Sequence, residues 1–168
     1  MQERLVPAMQ SPAKTLKNAG VLITAAKEVG VPVMLTEQYP KGLGRTMPDI
    51  AKVAGNSPIY EKVHFSCMED DAFSAAFKKH NRKQAVIAGM EAHICVVQTA
   101  ASLMEQGFEV FVTSDATASR TAESEAACIA RLSALGAGIV TTEMVIFEWL
   151  GKAGTASFKK LLPIIKNS

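Results

Sequence analysis

Short apolar runs alternate along the chain with longer stretches in which apolar positions recur at helical spacing. The runs are residues 31–36 (VPVMLT), 58–62 (PIYEK), 85–89 (AVIAG), 109–114 (EVFVTS) and 137–142 (AGIVTT). Three are almost continuously apolar rather than alternating, which is the pattern of strands covered on both faces. Each gap has room for one helix. The chain therefore reads as right-handed βαβ units, an α/β fold with a parallel sheet and helices on both sides. Nothing resembles a linker or an internal repeat, so residues 1–168 are expected to form one domain.

The helices carry their own punctuation. Ser11 and Pro12 read as an N-cap and first helical position. Leu16, Gly20, Ile23 and Ala26 follow on one face, and Gly30 stands where that helix ends. Residues 66–69 (SCME) match a capping box opening a helix over 70–80. Val96, Ala100, Leu103 and Met104 form the stripe of a helix over 93–106, ended by Gly107. Residues 122–135 predict a fourth helix stopped by Gly136, and 142–150 and 155–166 two shorter closing ones. The segment 39–47 (YPKGLGRTM) is a Gly- and Pro-rich surface loop. No strand precedes Ser11, whereas a doubly wound sheet ordinarily starts with a central one. The expectation is an unusual sheet without that strand, or a strand upstream of Met1.

Composition narrows the function. Hydrophobic residues make up 48% and charged residues 20%, which excludes a disordered chain. The net charge is only +2 and no long run of like charge occurs, so nucleic acid is not an expected partner. No apolar stretch reaches the ~20 residues of a membrane span. Residues 1–4 lack the apolar core of a secretory signal. Three cysteines cannot all pair within the chain, which predicts free thiols and a reducing, cytoplasmic setting.

In a parallel sheet the ligand crevice lies beyond the carboxyl ends of the strands. The five runs deliver there Glu37, Gln38 and Tyr39; Lys62 and His64; Met90, Glu91, His93 and Cys95; Asp115, Ser119 and Arg120; and Thr142 and Glu143. Cys95 follows Gly89 by one tight turn and opens a helix, where the dipole and unpaired N–H groups favour thiolate and lower a thiol's pKa. The same N–H groups receive an oxyanion. A buried structural cysteine is the competing reading. Lys62 is either the partner of such a thiol or a solvated charge. Gln38, Tyr39 and His93 are candidate contacts for a small-molecule substrate. Asp115 reads as the cap of its following turn, and Cys67 and Cys128 as core. The three histidines lack zinc-ligand spacing, and no phosphate-binding glycine motif occurs.

These segments together resemble a known family. GMEAHICVVQTA (residues 89–100) is similar to the nucleophile segment of the isochorismatase-like cysteine hydrolases. The likeness continues through TEQYPKGLGRTMP (36–48), EKVHFSC (61–67), SDATASR (114–120) and GAGIVTTEMVIFEWL (136–150), and is nearest to the isochorismatase domain-containing branch. The resemblance implies a three-layer α/β/α domain with a six-stranded parallel sheet and an Asp–Lys–Cys triad. It makes Cys95 the nucleophile and Lys62 the lysine. It gives the oxyanion hole to the N–H groups of Glu91 and Cys95, and implies a cis Met90–Glu91 peptide. The triad aspartate belongs to a D-x-Q motif ending the first strand. Met1 and Gln2 stand as its last two residues, so the aspartate is expected immediately before Met1 and outside these 168 residues. Ala92 replaces a common threonine. The metal ligands of nicotinamidase relatives are absent after Thr36, so no zinc, iron or other cofactor is expected.

The implied function is hydrolysis of a small amide or related C–N bond through a Cys95 thioester. The alternative is a catalytically impaired member of the fold acting as an oligomeric binding or scaffold protein. A homo-oligomer is expected in either case, because residues 147–150 with Phe158, Leu161, Leu162, Ile164 and Ile165 offer a large apolar surface.

Overall fold

The computed structural model describes residues 1–166. A 3-10 turn at Val6–Ala8 leads into α1 (Pro12–Glu28). β1 (Leu35–Gln38), α2 (Pro40–Leu43), α3 (Pro48–Ala54) and β2 (Ile59–Lys62) follow. Next come α4 (Asp71–Lys79), β3 (Gln84–Met90), a π-helical turn at Ala92–Val96 and α5 (Val97–Glu105). The chain closes with β4 (Glu109–Ala118), α6 (Ala122–Ala134), β5 (Gly138–Val140), α7 (Thr142–Leu150) and α8 (Ala156–Ile165).

Every strand pair is parallel, and helices cover both sides, giving three α/β/α layers. The continuous apolar runs have the expected cause. Along β4, Val110 and Val112 pack with Leu103 of α5 and Leu132 of α6, while Phe111 between them packs against α1, α7 and α8. Alternate side chains thus enter two different cores, fully on one face and partly on the other.

The strands form two sheets, β1-β2 and β3-β4-β5. The division falls between β1 and β3. A cavity of about 940 Å³ lies there, lined on one side by residues 31–36 and on the other by β3. The first strand is shorter than the run 31–36 predicts. Residues 31–34 pair with no strand, and β1 begins only at Leu35, where its pairing with Ile59 starts.

β4 also runs past its expected end at Ser114. The register with β3 slips between Ile87 and Gly89, so that Gly89 lies opposite Thr117 and Met90 opposite Ala118. Gly89 has φ +143°, a conformation that side-chain-bearing residues rarely adopt. The Met90–Glu91 peptide is cis.

The helix opening at residue 70 is capped differently from the expected box. Ser66 caps the 3-10 turn at Cys67–Glu69, and Asp70 caps α4 by accepting from the Phe73 N–H. Asp115 does not cap its own turn, because β4 continues through it. Its carboxylate accepts from the Thr142 N–H at 2.8 Å and the Thr142 hydroxyl at 3.0 Å, holding the start of α7, and Asn18 donates to it from α1 at 3.1 Å.

Most of the apolar C-terminal surface is consumed within the chain. Ile146, Leu161 and Ile165 are buried against α1. Phe147 stays 40% exposed and meets Phe158 edge-on.

Candidate active site

The register of β1 on β2 sets Gln38 beside Lys62 at the carboxyl ends of both strands. Lys62 is 4% exposed. Its ammonium donates to Gln38 Oε1 at 2.5 Å and to the carbonyls of His64 and Phe65 at 2.9 Å each. Three oxygens around a buried cation replace the water it has lost. The lysine is therefore not a solvated charge. Its Nζ also lies 3.8 Å from Cys95 Sγ, and Gln38 Oε1 lies 4.0 Å from the same sulfur. Cys95, Lys62, Gln38 and Cys67 all line the cavity between the sheets.

Cys95 reaches this point through the turn after β3. Ala92–Val96 is wound as a π-turn, not as the start of a regular helix over 93–106, and α5 begins at Val97. The Glu91 carbonyl accepts from the N–H groups of Ile94, Cys95 and Val96 at 3.1–3.2 Å. The Cys95 amide, assigned to an oxyanion hole by the resemblance, is already engaged by the Glu91 carbonyl. Cys128 braces the turn from α6, its Sγ 3.1 Å from the Ala92 carbonyl.

The thiol's charge state departs from the sequence expectation. Burial pushes the Cys95 thiol above its ordinary range and outweighs the opposing pull of Lys62, with Cys67 and Glu91 adding to the rise. Dipole and lysine arguments alone left out this desolvation. Burial likewise pushes Cys128 up to about 11.

The remaining candidates are divided. Gln38 stands in the cavity wall. Tyr39 does not: it is 55% exposed, with φ +38°, and its ring lies against Gly42 rather than in the cavity. His93 is held away by a 2.9 Å hydrogen bond between Nδ1 and the Ser119 hydroxyl. Glu91 is paired with Arg120 at 2.6 Å, outside the cavity lining. Among the described residues, no group of three or more His, Cys, Asp or Glu side chains is placed to hold a metal ion.

Sequence reasoning placed Glu37 at a strand end but gave it no role as a buried carboxylate. Glu37 is 3% exposed, and its Oε1 accepts from the Thr46 N–H at 2.7 Å and the Thr46 hydroxyl at 2.8 Å. Arg45 donates to its other oxygen at 2.9 Å. Its signal was an acidic residue inside a strand followed by the Arg-Thr pair of residues 45–46. Gln2 was seen only as a motif letter. Its side-chain amide accepts from the Gln38 N–H at 2.7 Å and donates to the Gln38 carbonyl at 2.9 Å, as a neighbouring strand would. Burial lowers the Met1 amine, which lies among Glu37, Cys95 and Lys62.

Burial raises Glu37, but the Thr46 N–H, Arg45 and the Thr46 hydroxyl together hold it below its ordinary 4.5. A depressed carboxylate contributes stability that is present above the unfolded value and lost as pH falls through the folded one. Thermal stability should therefore fall below about pH 4.5, and Glu37→Gln should flatten that part of the profile. Unchanged acid dependence in the variant would contradict this role.

A parallel α/β/α protein with a thiol and a buried ammonium facing one cavity, at the carboxyl ends of its strands, is the class that the fold and site define. The isochorismatase domain model matches residues 1–144, and the chain belongs to that family. It is 32% identical to isochorismatase domain-containing protein 1 of Salmo salar over all 168 residues, and spans 59% of that protein's length. Among solved structures, the MAR1 ribonuclease of Caenorhabditis elegans is 33% identical with a TM-score of 0.93, the match covering 99% of this chain and 86% of that one. The ycaC gene product of Escherichia coli, described as an octameric hydrolase of unknown specificity, is 26% identical with a TM-score of 0.89, covering 97% and 83%. No helix among the described residues is long and apolar enough to cross a membrane.

Proposed function

We propose that the protein is a cysteine hydrolase that opens a small amide or related C–N bond, with Cys95 as nucleophile. The observation that carries this reading is the Cys95–Lys62 contact of 3.8 Å inside one cavity. In the proposed reaction Cys95 Sγ attacks the carbonyl carbon, and its proton passes to the departing amine. The amine leaves, a thioester remains, and water then releases the acid and restores the thiol. Lys62 supports the thiolate against the burial that opposes it, and supports the anionic intermediate. The Met1 amine lies near Cys95 and Lys62, at the same end of the cavity.

The substrate is a small molecule, taken without a metal or other cofactor. The ribonuclease name of one neighbour does not change this reading, because a net charge of +2 with no basic run offers little to a phosphate backbone. Assembly as a homo-oligomer in the cytoplasm belongs to the same proposal. It is supported by the octameric neighbour and by exposed Phe147.

The test is ammonia release from a panel of small primary amides. The chain should hydrolyse at least one, and Cys95→Ala should abolish that turnover. Release from the Cys95→Ala protein at the parent rate, or from no amide with the parent chain, would remove the hydrolase reading and favour a binding role.

A further inference from the structure

The hydrolase reading leaves a second thiol of the cavity without a task. Cys67 and Cys95 are both half-buried and line the same space, whereas Cys128 is buried elsewhere. Cys67 Sγ lies 3.6 Å from the Thr36 hydroxyl, and Cys95 Sγ lies 4.0 Å from Gln38 Oε1. Thr36 and Gln38 are two apart on β1 and share a face, a span of ~6.6 Å. A second link ties the backbones together. The Cys67 N–H donates to the Thr99 hydroxyl at 3.0 Å, and Thr99 lies one helical turn beyond Cys95. Cys67 opens a short 3-10 turn rather than standing inside a long helix. A side-chain rotation there moves its sulfur without unwinding a packed element.

We propose that Cys67 is a resolving thiol for Cys95, and that peroxide converts the pair to a reversible Cys67–Cys95 disulfide that shields the nucleophile. Peroxide delivers one oxygen to the Cys95 thiolate, giving sulfenic acid and hydroxide. Cys67 then attacks Cys95 Sγ and expels the oxygen as a second hydroxide, which leaves as water with the thiol protons. Two thiols and one peroxide thus become one disulfide and two waters, and an external dithiol reverses the change. Lys62, 3.8 Å from Cys95, supports the thiolate that both steps use. Without a resolving thiol, Cys95 would pass on to the irreversible sulfinic and sulfonic acids.

The experiment treats the whole chain with limiting hydrogen peroxide at about pH 8, where part of a thiol population is ionised. It then blocks the remaining thiols and maps the peptides by mass spectrometry. The expected product is a Cys67–Cys95 linked peptide lighter by two hydrogens, with Cys128 free and both thiols restored by dithiothreitol. Cys67→Ser, with its fold checked by circular dichroism, should send Cys95 to the higher acids. The proposal is overturned by a parent Cys95 that stays unreacted, that over-oxidises as fast as in Cys67→Ser, or that links to Cys128. The readout is mass rather than turnover, so it stands or fails independently of the hydrolase reading.

Discussion

Lys62→Met should lower turnover by roughly 10²–10³-fold, the scale seen when one electrostatic contact to a developing anion is removed. The substitution keeps the stem and deletes the charge. Two consequences follow from the same geometry. The Cys95 thiol, already raised by burial, loses the group that opposes the rise. The pH midpoint of its alkylation by iodoacetamide should therefore move upward. Gln38 Oε1 and the carbonyls of His64 and Phe65 also lose their shared donor. These acceptors are only part-buried and water can replace much of the lost donor, so the variant should melt only slightly earlier. An alkylation midpoint that stays put or moves down would show that Lys62 does not act on Cys95.

Leu132→Ala should be the most damaging of the simple core truncations. Leu132 has no exposed surface and stands on α6 one turn beyond Cys128, facing Leu103, Val110 and Val112. Removing a fully buried leucine costs roughly 2–5 kcal/mol, depending on how far the surroundings collapse. For a chain of this size that is a fall in melting temperature of ~4–20 °C. The effect should reach the site as well, because Cys128 on the same helix holds the Ala92 carbonyl. A melting temperature within a degree or so of the parent would mean that α6 is not part of the main core.

The sequence was most legible where one local signal decides one local structure. Continuous apolar runs announced buried parallel strands, and glycines such as Gly30, with φ +74°, marked helix ends. The juxtaposition of Cys95 and Lys62 was legible because a strand end fixes where its next residues go. Misreadings arose where a long-range partner decides. Whether residues 31–34 join a strand depends on the extent of β2, which composition does not disclose. The extension of β4 to Ala118 depends on a register slip at Gly89. Tyr39 and His93 lie near the right strand ends in sequence. One side chain turns onto Gly42 and the other onto Ser119, and neither orientation is written in spacing. The raised Cys95 thiol was illegible for the same reason, since burial is a property of the assembled layers. The division into two sheets was not legible either, because strand order depends on which elements pair across the layer.

The central claim is that Cys95 carries the acyl group. It is tested most directly by quenching the chain in acid during reaction with p-nitrophenyl acetate and mapping the adduct by mass spectrometry. The expected product is a single acetyl group on the peptide containing Cys95, released by hydroxylamine and missing when Cys95→Ala is used. Nitrophenol release with no acetyl on Cys95, or acetyl persisting elsewhere in the Cys95→Ala protein at the parent level, would contradict it.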